Sequence, residues 1–143
     1  MMVKETASQH ALLQGYIDCF LEAHHQEILK QWADNGWKIS EDEEYDEACL
    51  KYISLIILDA CAHKAQKVLL EKGCPAIIGA PENSYMLPAA PESLLARGIE
   101  IVREICGIHG SRGSGTLVLG IGNDILEIEV EKNKGLHVFM IKI

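Results

Sequence analysis

The sequence predicts an α+β fold, and three observations carry that expectation. Apolar residues recur at helical spacing up to about residue 107. A glycine-rich stretch, Gly110-Ser111-Arg112-Gly113-Ser114-Gly115, follows. Beyond it, apolar and polar residues alternate as they do in half-buried strands. The expected architecture is a long N-terminal helical hairpin, a third helix after a proline-rich loop, and a C-terminal three-stranded antiparallel sheet.

The first helix is expected over residues 8–34. Leu13, Ile17, Phe20, Leu21, His24, Ile28 and Trp32 fall on one stripe of it. Asn35-Gly36 is a stop signal, because glycine adopts the left-handed conformation that closes many helices. Trp37-Lys38-Ile39 reads as a short extended link. Ser40 or Asp42 is placed to cap the second helix, expected over residues 43–72 and ending at Gly73. That helix is apolar on most sides through Leu58, which suits a central buried element.

Residues 74–91 carry Pro75, Pro81, Pro88 and Pro91, which forbid a regular helix. Brief extended structure is expected at Ala76-Ile77-Ile78. Within this loop Tyr85-Met86-Leu87 is an apolar patch that either folds over the core or forms a lid or partner contact. A third helix starts at Pro91, with Leu95, Ile99, Val102 and Cys106 on its apolar stripe and Gly107 at its end. Strands are then expected over 116–121, 125–131 and 136–143, joined by turns at Gly122-Asn123-Asp124 and Asn133-Lys134-Gly135. In the second of these, Leu126, Ile128 and Val130 face one way and Glu127, Glu129 and Glu131 the other.

With 143 residues, the chain has the size of one domain, residues 1–143, mainly helical over 1–107 and a β meander over 116–143. The apolar fraction is 48% and the charged fraction 24%, both ordinary for a globular protein. The net charge of −8 argues against broad contact with nucleic acid or anionic membranes, which need a positive field. No run approaches the roughly 20 apolar residues that span a bilayer. No signal peptide is visible, so a cytoplasmic location is expected. The 5 cysteines are odd in number and form no CxxC pair, which reads as free, mostly buried thiols.

The strongest clue to chemistry is Asp59, with His63 one helical turn on, inside the longest apolar run, Tyr52 to His63. A buried carboxylate demands partners. If the first two helices fold back around Gly36, His24 comes level with Leu55, about one turn or roughly 5–6 Å from Asp59. His24, Asp59 and His63 are therefore expected to converge, with Tyr52 nearby. Three readings stand side by side. The cluster is a self-satisfied network that fixes helix register; or it holds a divalent metal; or Asp59 orients a histidine for acid–base work or ligand contact.

A second strip holds Asp18, Glu22 and His25. Over four residues, Glu22-x-x-His25 resembles one element of the carboxylate-bridged di-iron bundles. That pattern needs a second such element, and the other helix offers Asp59-x-x-x-His63 instead. The strip is read as a solvated flank.

His109, Ser111 and Arg112 are the candidate ligand contacts of the glycine-rich stretch, where backbone N–H groups and a guanidinium suit an anion. The order helix, glycines, strand is the reverse of nucleotide-binding loops, and a plain flexible connection is the competing reading. No nucleophile elbow or His-Glu-x-x-His motif is present.

These features lead to one functional expectation, a rival, and a third reading as a purely structural assembly factor that uses the Tyr85–Leu87 loop. The expectation is a non-enzymatic cytoplasmic binding or regulatory domain recognising a small anionic ligand or a protein partner, with a homodimer as its plausible state. The rival is a small enzyme, metal-dependent or not, that uses the His24, Asp59 and His63 cluster. No particular cofactor is implied.

Overall fold

The computed structural model describes residues 2–70, 76–78, 84–108, 113–133 and 136–142. Among the described residues, four helices, α1 (Met2–Cys19), α2 (His25–Asp34), α3 (Tyr45–Ala62) and α4 (Glu92–Ile105), accompany six strands. The strands are β1 (Lys67–Leu70), β2 (Ala76–Ile78), β3 (Tyr85–Met86), β4 (Ser114–Ile121), β5 (Asp124–Asn133) and β6 (Leu136–Lys142). They form one sheet in the order β3-β2-β1-β6-β5-β4, and every neighbouring pair is antiparallel. The α+β class expected from the sequence is the one observed.

The C-terminal meander follows the alternation that predicts it. Leu117 and Leu119 of β4, Leu126, Ile128 and Val130 of β5, and Phe139 and Ile141 of β6 are buried on one face. Val68 and Leu70 of β1 continue that face, Val68 paired with Phe139 and Leu70 with His137. The opposite face carries Glu127 and Glu131, with Val118 and Ile125 exposed among them. Gly122, at φ 61°, takes the first position of the two-residue turn between β4 and β5, as a type II′ hairpin requires.

Helix α3 is the centre of the helical layer. Every residue from Ala48 to Ala60 except Lys51 is buried, with α1, α2 and α4 packed around it. Gly98 of α4 lets that helix approach α3 closely: a Cβ there would come within 2.7 Å of Ile53 Cγ1. Where α3 begins, Arg97 grips Asp46 with two hydrogen bonds of 2.9 Å each. Tyr52 packs edge-on against Trp32 and Trp37 rather than reaching the Asp59 end of the helix.

Helix α1 begins at Met2 rather than at residue 8, and two further helix boundaries differ from expectation. The first helix is not continuous over residues 8–34 but breaks between Phe20 and His24. His25 folds back so that its Nε2–H donates to the Phe20 carbonyl at 2.7 Å, replacing a bond that helix continuation would have supplied. The break carries its own hydrogen bonding and needs neither proline nor glycine. His25 is thereby buried, at 8% exposure, while Asp18 and Glu22 stay exposed as a solvated flank should.

The second helix ends at Ala62 instead of Gly73. Ala65 N–H donates to Ala60 C=O at 2.8 Å and Lys64 N–H to Cys61 C=O at 3.0 Å, the paired bonds of a Schellman closure. The same pair ends α2 at Gly36 (φ 71°) and α4 at Gly107 (φ 74°), as the sequence anticipates for both. At the end of α3 the left-handed position is filled by Lys64, at φ 56°. The chain released there becomes β1, which pairs with β6 and with β2. The extended structure expected at Ala76-Ile77-Ile78 is β2.

Candidate functional site

The end of α3 places Asp59 at the floor of a groove and His63 at its lip. Asp59 is 2% exposed. Its Oδ2 accepts a short hydrogen bond from the Tyr85 hydroxyl, 2.6 Å, and a longer one from Gln26 Nε2, 3.3 Å. Tyr85 comes from β3, in the loop between the prolines, and its ring lies against the His63 ring at 4.9 Å between centroids. Burial foremost, and then the Asp59 carboxylate beside it, raise the Tyr85 phenol well above its ordinary value, so it remains a donor.

His63 is the C-cap of α3. Its Nδ1 lies 2.9 Å from the Asp59 carbonyl oxygen, 3.1 Å from the Tyr85 hydroxyl oxygen and 3.6 Å from Asp59 Oδ1. Every one of these neighbours is an acceptor once Tyr85 has donated to Asp59. The network therefore assigns the proton to Nδ1 and leaves Nε2 as the basic nitrogen. The His63 side chain is 49% exposed.

The groove itself measures about 580 Å³ and runs along the break between α1 and α2, from Leu21 to Glu27, and across Asp59, Ala62 and His63. His24, Asp59 and His63 thus line one groove, but not as the sequence suggests. His24 is exposed and caps the start of α2, because the break after Phe20 turns it away from the apolar stripe. The places beside the Asp59 carboxylate that a continuous helix would have given to His24 belong to Gln26 and Tyr85. Tyr85, which the sequence offers only as part of an apolar patch, is the residue that locks Asp59. Its loop was recognisable as a lid or a cover, and it is the loop that delivers the hydroxyl.

Among the described residues no three His, Cys, Asp or Glu side chains are grouped to hold a metal ion. His109, Ser111 and Arg112, the candidate anion contacts, lie outside the described residues. So do Cys74 and the turn residues Lys134 and Gly135. Cys19, Cys49, Cys61 and Cys106 are free thiols. Burial pushes the last three up to about 11, which keeps them protonated and poorly nucleophilic. No described helix is long and apolar enough to cross a membrane.

Chemically, the arrangement offers a buried carboxylate locked by a phenol and an amide, and an imidazole whose tautomer is fixed by that lock. Comparison with family models, with curated proteins and with solved structures finds no match for this chain.

Proposed function

We propose that this protein is a small-molecule binding domain whose ligand lies in the groove at the end of α3 and donates a hydrogen bond to His63 Nε2. The observation that carries this reading is the fixed tautomer of His63. Its Nδ1 is committed to the Asp59 carbonyl and the Tyr85 oxygen, so one oriented, basic nitrogen is left at the mouth of an open groove. Glu22 and Glu27 on the walls favour a neutral or cationic molecule with an N–H or O–H to give, such as an amine, amide or polyol. The same two carboxylates disfavour an anionic ligand in this groove. The free thiols suit a reducing, cytoplasmic setting.

A panel of small amines, amides, polyols and carboxylates, screened by ligand-observed NMR, tests this. Amine, amide or polyol hits are expected, and they are expected to vanish in His63→Ala but persist in Asp18→Ala. Amine, amide or polyol hits that survive His63→Ala remove the groove from consideration.

A second reading is favoured by the Asp59–Tyr85–His63 linkage. A carboxylate that orients a phenol, which in turn orients an imidazole, suits general acid–base catalysis by His63. Prolonged incubation separates the two: a hit recovered chemically unchanged supports binding, and a hit converted by the wild type but not by His63→Ala supports the enzyme.

A further inference from the structure

A second cavity, of about 280 Å³, opens between α4 and the sheet, lined by Ala96, Ile99, Glu100, Arg103 and His137. Its composition is unlike that of the chain as a whole, which carries a net charge of −8. Arg103 is 8% exposed, a depth at which arginine is found when its charge is met by partners. His137 reaches the cavity from β6, and Lys132 stands directly across from it in β5. Burial chiefly, and then the cations Lys132 and Arg103, lower the His137 pKa, so both cations stand close enough for His137 to feel them. Glu100 is the one acid among the described lining residues, and Arg97 engages its carboxylate.

We infer that the cavity between α4 and β6 binds a small organic carboxylate. Arg103 supplies the guanidinium fork, whose five N–H donors allow it to serve a ligand alongside its contacts within the protein. His137 supplies one further N–H, and Lys132 a positive field from across the strand pair. Ala96 and Ile99 form an apolar wall for a short hydrocarbon tail, which distinguishes an organic acid from inorganic phosphate. The lining shares no residue with the groove at Asp59, so this inference is independent of the function proposed there.

Isothermal titration at low ionic strength, in a His63→Ala background that silences the groove at Asp59, with sodium butyrate, and with butyramide as its uncharged counterpart, tests the site. Butyrate is expected to bind saturably and butyramide not to bind. His137→Leu removes a donor, and Ala96→Phe fills the cavity from an exposed position that tolerates a larger side chain. Each is expected to weaken butyrate binding by about tenfold or more, while Lys38→Gln, on a distant exposed loop, leaves it unchanged. Far-UV circular dichroism checks that each variant folds. The inference is overturned if the His63→Ala background shows no saturable butyrate binding, if butyramide binds it equally well, or if both variants, made in that background, bind butyrate as it does.

Discussion

Gln14 bonds the backbone of Gly120 as a neighbouring strand would. Its Oε1 accepts from the Gly120 N–H at 2.7 Å, and its Nε2 donates to the Gly120 carbonyl at 2.9 Å. Four residues earlier on the same helix face, His10 Nε2 donates to the Val118 carbonyl at 2.8 Å. Helix α1 therefore uses two side chains to cover the outer edge of β4, which would otherwise offer unpaired backbone groups to another chain.

Replacing Gln14 with Ala removes both bonds to Gly120 at once. A loss of about 1–2 kcal/mol in folding free energy is expected from urea denaturation. The Gly120 amide should also exchange its hydrogen faster with solvent than in the wild type. Unchanged exchange would show that the edge is protected by something other than Gln14.

Lys64→Gly is expected to stabilise the protein. A residue with a Cβ in the left-handed region costs roughly 1–2 kcal/mol, and glycine avoids that at some cost in unfolded-state entropy. A net gain of about 0.5–1 kcal/mol should appear as a higher denaturation midpoint with an unchanged slope. Lys64→Ala keeps the strain and should show no gain.

Much of this architecture is legible in the sequence, and the places where it is not have a common cause. Gly36 and Gly107 announce the ends of α2 and α4 because glycine is the residue that left-handed closure selects. Lys64 performs the same closure silently, so Lys67-Val68-Leu69-Leu70 reads as more helix until β6 is seen to pair with it. The break after Phe20 is equally silent, since His25 makes it by a side-chain bond to the Phe20 carbonyl. That break misplaces His24 by turning the helix, and with it the predicted cluster. Asp59 and His63 were legible because a carboxylate in an apolar run must have partners. Tyr85 was not, because it reaches Asp59 across 26 residues of chain from a two-residue strand with no periodicity to read.

Tyr85→Phe isolates the lock on Asp59. The buried carboxylate loses its short hydrogen bond and keeps the longer one from Gln26. Charge-assisted bonds of this kind are worth about 1.5–3 kcal/mol, and a destabilisation in that range is expected from chemical denaturation. His63 should also become more mobile, visible as broadened or shifted ring resonances, since one acceptor of its Nδ1–H has gone.

The Asp46–Arg97 pair gives stability a defined pH dependence. Hydrogen bonding to the Arg97 guanidinium holds the Asp46 carboxyl below its ordinary value. The unfolded chain then binds a proton at about pH 4 that the folded chain still refuses. The pair's contribution is complete above that pH and disappears as pH falls through the lower folded value. Because Asp46 is 44% exposed, the contribution is about 1 kcal/mol or less. Denaturation curves of wild type and Asp46→Asn should differ at pH 7 and converge below pH 4.

The order of the sheet has a further consequence for how the chain assembles. Strand β6 lies between β1 and β5, so residues 136–142 join two halves of the sheet that otherwise share no ladder. While the polypeptide is still emerging from the ribosome, the β4–β5 hairpin can close locally. The segments at β1, β2 and β3, by contrast, have no connection to it. Folding must wait for the segment synthesised after them all, and only then does β1 meet β6 across a long sequence separation, the kind of contact that forms slowly. Until that segment arrives, β1 lacks its partner strand on that side and the sheet stays in two separate parts.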